Sequence, residues 1–245
     1  MALAQGMCVS GTNLYVADFD GLQIVDIVDP TNPSLAGRCN IGGLVYGVAI
    51  SGHYAFVAAF DAGLQVVDVS DPDNPNLIAS YVPTSYCYKV AVVGNYAYLA
   101  NNSNGVTIVN ISDPEFPTFV GSIATGGATC GLFIKDTYAY TADGMWGVHV
   151  LDISNPISPA AAGAYSTPGN ANNIYIVGNF AFVAEGEMGF EIVDITDREN
   201  MAPYWRLQSG QSVGGDSFRQ LCICLLGRLW FLHSKHFRFD ESGDY

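Results

Sequence analysis

The chain has 245 residues, 49% of them hydrophobic, enough for a sizeable core in one domain or two small ones. Nine basic residues face 23 acidic ones, a formal charge of −14, and only 13% of residues are charged, about half the usual share. That balance argues against nucleic acid as a partner, because such binding needs clustered Lys and Arg, and no basic amphipathic stretch suits an anionic membrane surface.

In chain order, the opening "MALAQGMCVSG" shows neither the basic n-region nor the long apolar run of a signal peptide, and no run approaches the 18 apolar residues of a membrane span. Met1 precedes an incomplete strand, which suggests a fragment of something longer. The first complete elements are "NLYVA" and "LQIVDIVDPTNPSL", the latter at residues 22–35. Both return in the next unit, as "YAFVA" at 54–58 and "LQVVDVSDPDNPNL" at 64–77, and again in three more. Asp26, Asp68, Asn110, Asp152 and Asp194 follow one another at steps of 42 residues. The prolines Pro30, Pro72, Pro114 and Pro156 keep step, and Arg198 breaks the series. Five copies at one period put a repeat architecture before any other reading.

Each unit carries four short apolar runs, in the second unit "GVAIS" (47–51), "YAFVA" (54–58), "LQVVDVS" (64–70) and "NLIASY" (76–81). They alternate or are β-branched, and Gly, Asn, Asp and Pro punctuate them. Four strands per 42 residues is the size of a propeller blade. A blade cannot bury both faces alone, so neighbours must stack around an axis. The spacing predicts an all-β propeller with five clear blades over residues 1–210 and a degenerate sixth over 211–245. In the second runs, Tyr54, Phe56, Tyr96, Tyr98, Tyr138, Tyr140, Phe180 and Phe182 alternate with Ala55, Ala97, Ala139 and Ala181. Alternate side chains face opposite ways along a strand, so large can meet small across facing sheets. That is a core device rather than a ligand ladder.

The residues closing the third runs, Asp26, Asp68, Asn110, Asp152 and Asp194, have a structural role: a side-chain oxygen there can accept the N–H groups of the following turn. Calcium would need several converging oxygen ligands, and one Asp per blade is spread around a ring. Neither cofactor nor metal is expected. The cysteines Cys8, Cys39, Cys87, Cys130, Cys222 and Cys224 lack paired CxxC spacings.

"LQIVDI", "LQVVDV" and "FEIVDI", each behind a "VA…G" strand and loop, resemble the LVIVD repeat family, over residues 6–208. The resemblance implies a β-propeller from a bacterial or archaeal, often secreted or surface-attached protein, and hence an extracellular or cell-surface location. It brings no catalytic residues with it. After residue 210 the pattern stops. Residues 211–245 hold four basic and four acidic residues, while the first 210 carry the whole excess charge. "LCICLLGRLWFLHSKHFRF" lacks the repeat's marks and reads as a degraded or frameshifted sixth copy.

Internal comparison separates scaffold from function. In a propeller, the loops between second and third strands share a face with the loops entering each new blade. The turns of the opposite face are monotonous, and those of this face vary, which is where binding on a rigid frame usually resides. The varied loops offer Tyr46, Phe60, Tyr86, Tyr88 and Trp146 for stacking, with Asp61, Asn172, Glu185 and Glu187 as polar partners and Lys89 as the only cation. Aromatics beside amides and carboxylates suit a neutral polar ligand, a glycan or a protein loop. The expected function is a non-catalytic binding or scaffold module, monomeric, without membrane insertion, belonging to a larger exported protein. The alternative is a polysaccharide hydrolase or lyase using Glu185 with Asp61 or Asp143, since glycoside hydrolysis needs two carboxylates at a set separation. Neither His53 nor His149 neighbours a candidate nucleophile.

Overall fold

A computed structural model describes residues 4–207. The 211–245 tail and its reading as a sixth repeat lie outside the described residues. Twenty strands follow one another, β1 (Ala4–Ser10) to β20 (Ala202–Leu207), broken only by one short 3-10 turn at Gly186–Met188. They form five four-stranded sheets, each in simple chain order: β1 to β4, β5 to β8, β9 to β12, β13 to β16 and β17 to β20. Every pairing is antiparallel. The first strands β1 (Ala4–Ser10), β5 (Gly47–Ser51), β9 (Lys89–Val93), β13 (Gly131–Lys135) and β17 (Asn173–Val177) pack side by side in that order, so the sheets are blades of a propeller with the "GVAIS" strand innermost.

Packing between blades follows the alternation. Tyr15 shares a core cluster with Ala55 of the next blade, Phe56 with Ala97, Tyr98 with Ala139, and Tyr140 with Ala181. An aromatic ring projects from one blade where the neighbour's second strand offers only a methyl group, which lets flat sheets reach crystal-like packing density. In the fifth blade the ring at this place, Phe182, clusters with Phe190 and Ile192 of its own sheet.

The outer strands carry a second repeated device. In all five blades one residue is left unpaired between the third and fourth strands: Ala36, Ile78, Val120, Ala162 and Tyr204. The bulge bends the outer strand. In the first, third and fourth blades the residue after it meets the loop that follows the next blade's third strand. A Cβ on Gly37, Gly121 or Gly163 would lie 2.3, 2.5 or 1.9 Å from the carbonyl oxygens of Pro72, Pro156 and Arg198. Arg198, which interrupts the proline series, keeps this carbonyl contact. Its guanidinium lies 4.1 Å from the Tyr138 ring centroid and its Nε donates to the Tyr140 hydroxyl at 2.9 Å.

The residues closing the third strands all make one bond. Asp26, Asp68, Asn110, Asp152 and Asp194 accept the N–H two residues on, at 2.8, 2.9, 2.8, 2.8 and 2.9 Å. Asp29, Asp71, Asp113, Asn155 and Asp197 repeat the arrangement three residues later. Side-chain bonds from Thr31, Asn74, Thr196 and Asn200, then the backbone bonds, lower the carboxyl pKa of Asp29, Asp71, Asp194 and Asp197, while the backbone bonds lead at Asp68 and Asp152. Among the described residues no group of three or more His, Cys, Asp or Glu could hold a metal ion, and Cys8, Cys39, Cys87 and Cys130 are free thiols.

Candidate functional site

The varied loops are tied together across blades. Phe60 pairs with Cys87, Asn102 with Thr129, and Gly144 with Ala171, joining a second-to-third-strand loop to the loop that enters the next blade. The first partner of each pair has a positive φ: +39° at Phe60, +49° at Asn102 and +61° at Gly144. Glycine takes that conformation freely and Asn with little penalty. For a bulky aromatic it is an outlier that persists only where the surroundings hold it.

What holds Phe60 is a cluster of four rings. Phe60 stacks on Tyr86 at 4.1 Å between centroids and 4° between planes. Tyr88 meets Phe60 edge-on at 5.5 Å and Tyr46 at 5.2 Å, and Tyr46 lies 5.6 Å from Phe60. The backbone makes this grouping possible. Tyr46 and Tyr88 each stand just before an innermost strand, their N–H groups donating to Ala58 and Ala100 at 2.9 Å in both cases. Cys130 and Asn172 fill the same place in later blades, donating to Ala142 and Ala184. Burial is the main cause that pushes the Tyr88 phenol up, helped by Cys130, Tyr46 and Tyr86 nearby.

The loop bearing Tyr86 is clamped from below. The buried Asn101 amide donates to the Ser85 and Tyr86 carbonyls at 2.7 and 3.1 Å and accepts from the Thr107 hydroxyl at 3.0 Å. Asn104 donates to the Thr84 hydroxyl at 2.6 Å. Tyr86 therefore presents a fixed ring that is 45% exposed. Four of the nine residues read from sequence as ligand contacts, Tyr46, Phe60, Tyr86 and Tyr88, are brought together here.

The other five are not part of that cluster. Asp61, Asn172 and Glu187 are exposed on their own loops. Trp146 is 60% exposed, lying against Gly126 and Gly127. Glu185 is fully buried, and its Oε2 accepts from Arg206 on β20 at 2.6 Å. Beside it Glu191 is 2% exposed and accepts from the Tyr165 hydroxyl at 3.2 Å. Glu185 Oε1 and Glu191 Oε2 are buried with no donor. Two carboxylates so placed favour one remaining protonated, and burial first, then Glu185, pushes Glu191 up to about 7.

Glu185 belongs to a series that sequence reasoning overlooked. At or just past the end of each second strand stand Asp18, Ala59, Asn101, Asp143 and Glu185, while the third strands carry Gln23, Gln65, Thr107, His149 and Glu191 opposite Val16, Val57, Leu99, Thr141 and Val183. Asp18 accepts from Gln23. Asp143 holds His149 Nδ1 at 2.7 Å together with the hydroxyls of Thr125, Thr129 and Thr141. The signal was present as "VAD", "LAN", "TAD" and "VAE", in step with the repeat. These side chains point into the frame, where each blade satisfies a buried polar place in its own way. Asp143 and Glu185 are thus paired and sealed from solvent.

A repeat profile described as "LVIVD repeat" matches five times, at residues 3–41, 42–82, 86–125, 126–167 and 168–203. The chain belongs to the LVIVD repeat family. No curated protein matches it. Among solved structures, this LVIVD propeller is similar to a functionally unknown protein from Desulfotomaculum acetoxidans DSM 771, with TM-score 0.70, 14% identity, and 86% of this chain against 72% of that one. The Cps50 (Swd1) β-propeller domain of Myceliophteria thermophila gives TM-score 0.66, 12% identity, and coverage of 84% and 75%. The computationally designed Ika8 protein gives TM-score 0.64 at 11% identity, and 80% of the LVIVD propeller matches 60% of that chain's length. At these identities the likeness is one of fold.

Proposed function

We propose that this LVIVD propeller is a non-catalytic recognition module of a larger, exported protein, monomeric and cell-surface or extracellular, that binds a glycan on its varied-loop face. The observation that carries the reading is the four-ring cluster, in which Phe60 is held in a backbone conformation that disfavours it. Strain kept at one loop, while other blades use Asn or Gly at the same place, is the mark of a ring wanted there for something other than folding. Flat rings with fixed orientation stack on sugar faces at little entropic cost. Asp61 beside Phe60, and the exposed Asn172 and Glu187 on the fifth blade's loops, suit hydroxyl groups.

The hydrolase or lyase alternative depends on Glu185, which is paired with Arg206 and shut away from solvent. A binding screen beside a polysaccharide-degradation screen separates the two. Binding without turnover, weakened about tenfold or more by Tyr88→Ala, supports recognition. Wild-type turnover that vanishes in Glu185→Gln would overturn it.

A further inference from the structure

Lys89 opens β9, immediately after Tyr88. Its counterparts at the start of the other inner strands are Gly6, Gly47, Gly131 and Asn173. At this level of the inner strands three of the five blades project no side chain. A Cβ on Gly47 would sit 3.5 Å from Lys89 Cδ, so the stem passes over the neighbouring blade. Its ammonium comes within electrostatic reach of Cys8 on β1, two blades away.

Three other cations each have an acceptor. Lys135 donates to the Gly178 carbonyl at 2.5 Å, Arg198 to the Tyr140 hydroxyl and Arg206 to Glu185. Lys89 has no acceptor or carboxylate partner among the described residues, although the chain carries 23 acidic residues. Partial burial draws its pKa down, as expected of an ammonium partly withdrawn from water without a carboxylate beside it. Tyr88 precedes it in the chain, and Tyr88 and Tyr46 are half-buried and edge-on to each other.

We infer that Lys89 is the anchor of an anion subsite at the axis, and that the glycan recognised on this face carries a carboxylate, as a uronic acid does. This rests on the recognition reading given above. A sugar ring lying against Tyr46 and Tyr88 can present its carboxylate to the ammonium, giving a charge-assisted hydrogen bond in a partly desolvated place. The surrounding acidic surface penalises polyanions, so a single carboxylate beside an uncharged ring fits better than phosphate-rich ligands.

The test compares glucuronate with glucose, and an oligosaccharide carrying a single uronate with its neutral counterpart, on wild type, Lys89→Met and Tyr88→Ala. Lys89→Met keeps the apolar stem and removes the charge. Lysine amines carrying carbon-13 methyl groups give a resonance for Lys89, assigned by its loss in Lys89→Met. The expected result is about tenfold or greater preference for the uronate, a shift of the Lys89 resonance with glucuronate alone, and loss of the preference in Lys89→Met. Neutral and acidic sugars bound equally, with Tyr88→Ala still weakening both, would end the anion subsite and leave the recognition reading standing. A uronate preference that survives Lys89→Met would also overturn it. So would a Lys89 resonance unmoved by saturating glucuronate.

Discussion

At the scale of single residues, the site turns on Phe60. Its φ of +39° sits where Asn102 and Gly144 have +49° and +61°, so the backbone is common to the blades and only the side chain is at odds with it. Such strain costs about 1–3 kcal/mol, and the stacked ring offsets part of it. Phe60→Gly therefore relieves the backbone while losing the Tyr86 contact. The net change in stability is expected within about 1 kcal/mol, against the usual 3–5 kcal/mol for deleting a well-packed Phe, with ligand affinity falling at least about tenfold. Urea unfolding and a binding titration on the same variant check both halves. A loss of several kcal/mol would mean the ring serves the core. The grouping of Tyr46, Phe60, Tyr86 and Tyr88 was legible because the repeat period assigns them to loops of one face in adjacent blades. The burial of Glu185 was not. It stands one residue past a strand that ends at Ala184, in step with the buried Asn101 and Asp143, and its partner Arg206 lies on the distant β20.

At the scale of elements, the outer strand and the following blade's Asp-Pro loop form the joint that sets blade spacing. The glycine after the bulge in the first, third and fourth blades is required by backbone contact from the next blade, not by its own conformation. Gly121→Val pushes a branched side chain against the Pro156 carbonyl, where even a Cβ would lie at 2.5 Å. The expected cost is about 1–3 kcal/mol or more, measurable as a lower chemical denaturation midpoint. A neutral substitution would show that the loop yields. Gly11→Ala serves as the contrast. That glycine, at φ +58° with nothing near its Cβ position, reports only conformational strain. Asp68→Ala should cost less, about 0.5–1.5 kcal/mol, because the Ser70 N–H it satisfies is exposed and water can replace it. The strands and the Asp turns could be read from the 42-residue period. The bulge and the inter-blade joint could not, because a small residue in an outer strand says nothing about which distant loop will press on it.

At the scale of the whole molecule, two populations of carboxyl groups pull stability in opposite directions with pH. The turn aspartates have lowered pKa values, so their contribution is present above the ordinary carboxyl range and is lost as pH falls through their folded values. Glu191 has the opposite sign. Its folded value near 7 lies above the ordinary glutamate value of 4.5, so its contribution is complete below about 4.5 and is lost as pH rises through 7. The groups facing it are Glu185, Tyr165, whose phenol is pushed up to about 12, and the Arg206 guanidinium. Between pH 5 and pH 8 the aspartates are all ionised in both states and contribute no slope, so Glu191 dominates the local change. The chain also carries a charge of −14 at neutral pH, and self-repulsion adds to the decline. Wild type should therefore melt at a higher temperature at pH 5 than at pH 8. Glu191→Gln keeps a hydrogen-bonding side chain of the same length without a titrating group, and it leaves the repulsion nearly unchanged. The comparison isolates the buried acid pair: the pH 5 to pH 8 drop in Tm should be clearly smaller in Glu191→Gln than in wild type. Equal drops in the two proteins would assign the whole effect to surface charge and show that Glu185 and Glu191 share no proton. A larger drop in the variant would reverse the sign argued here.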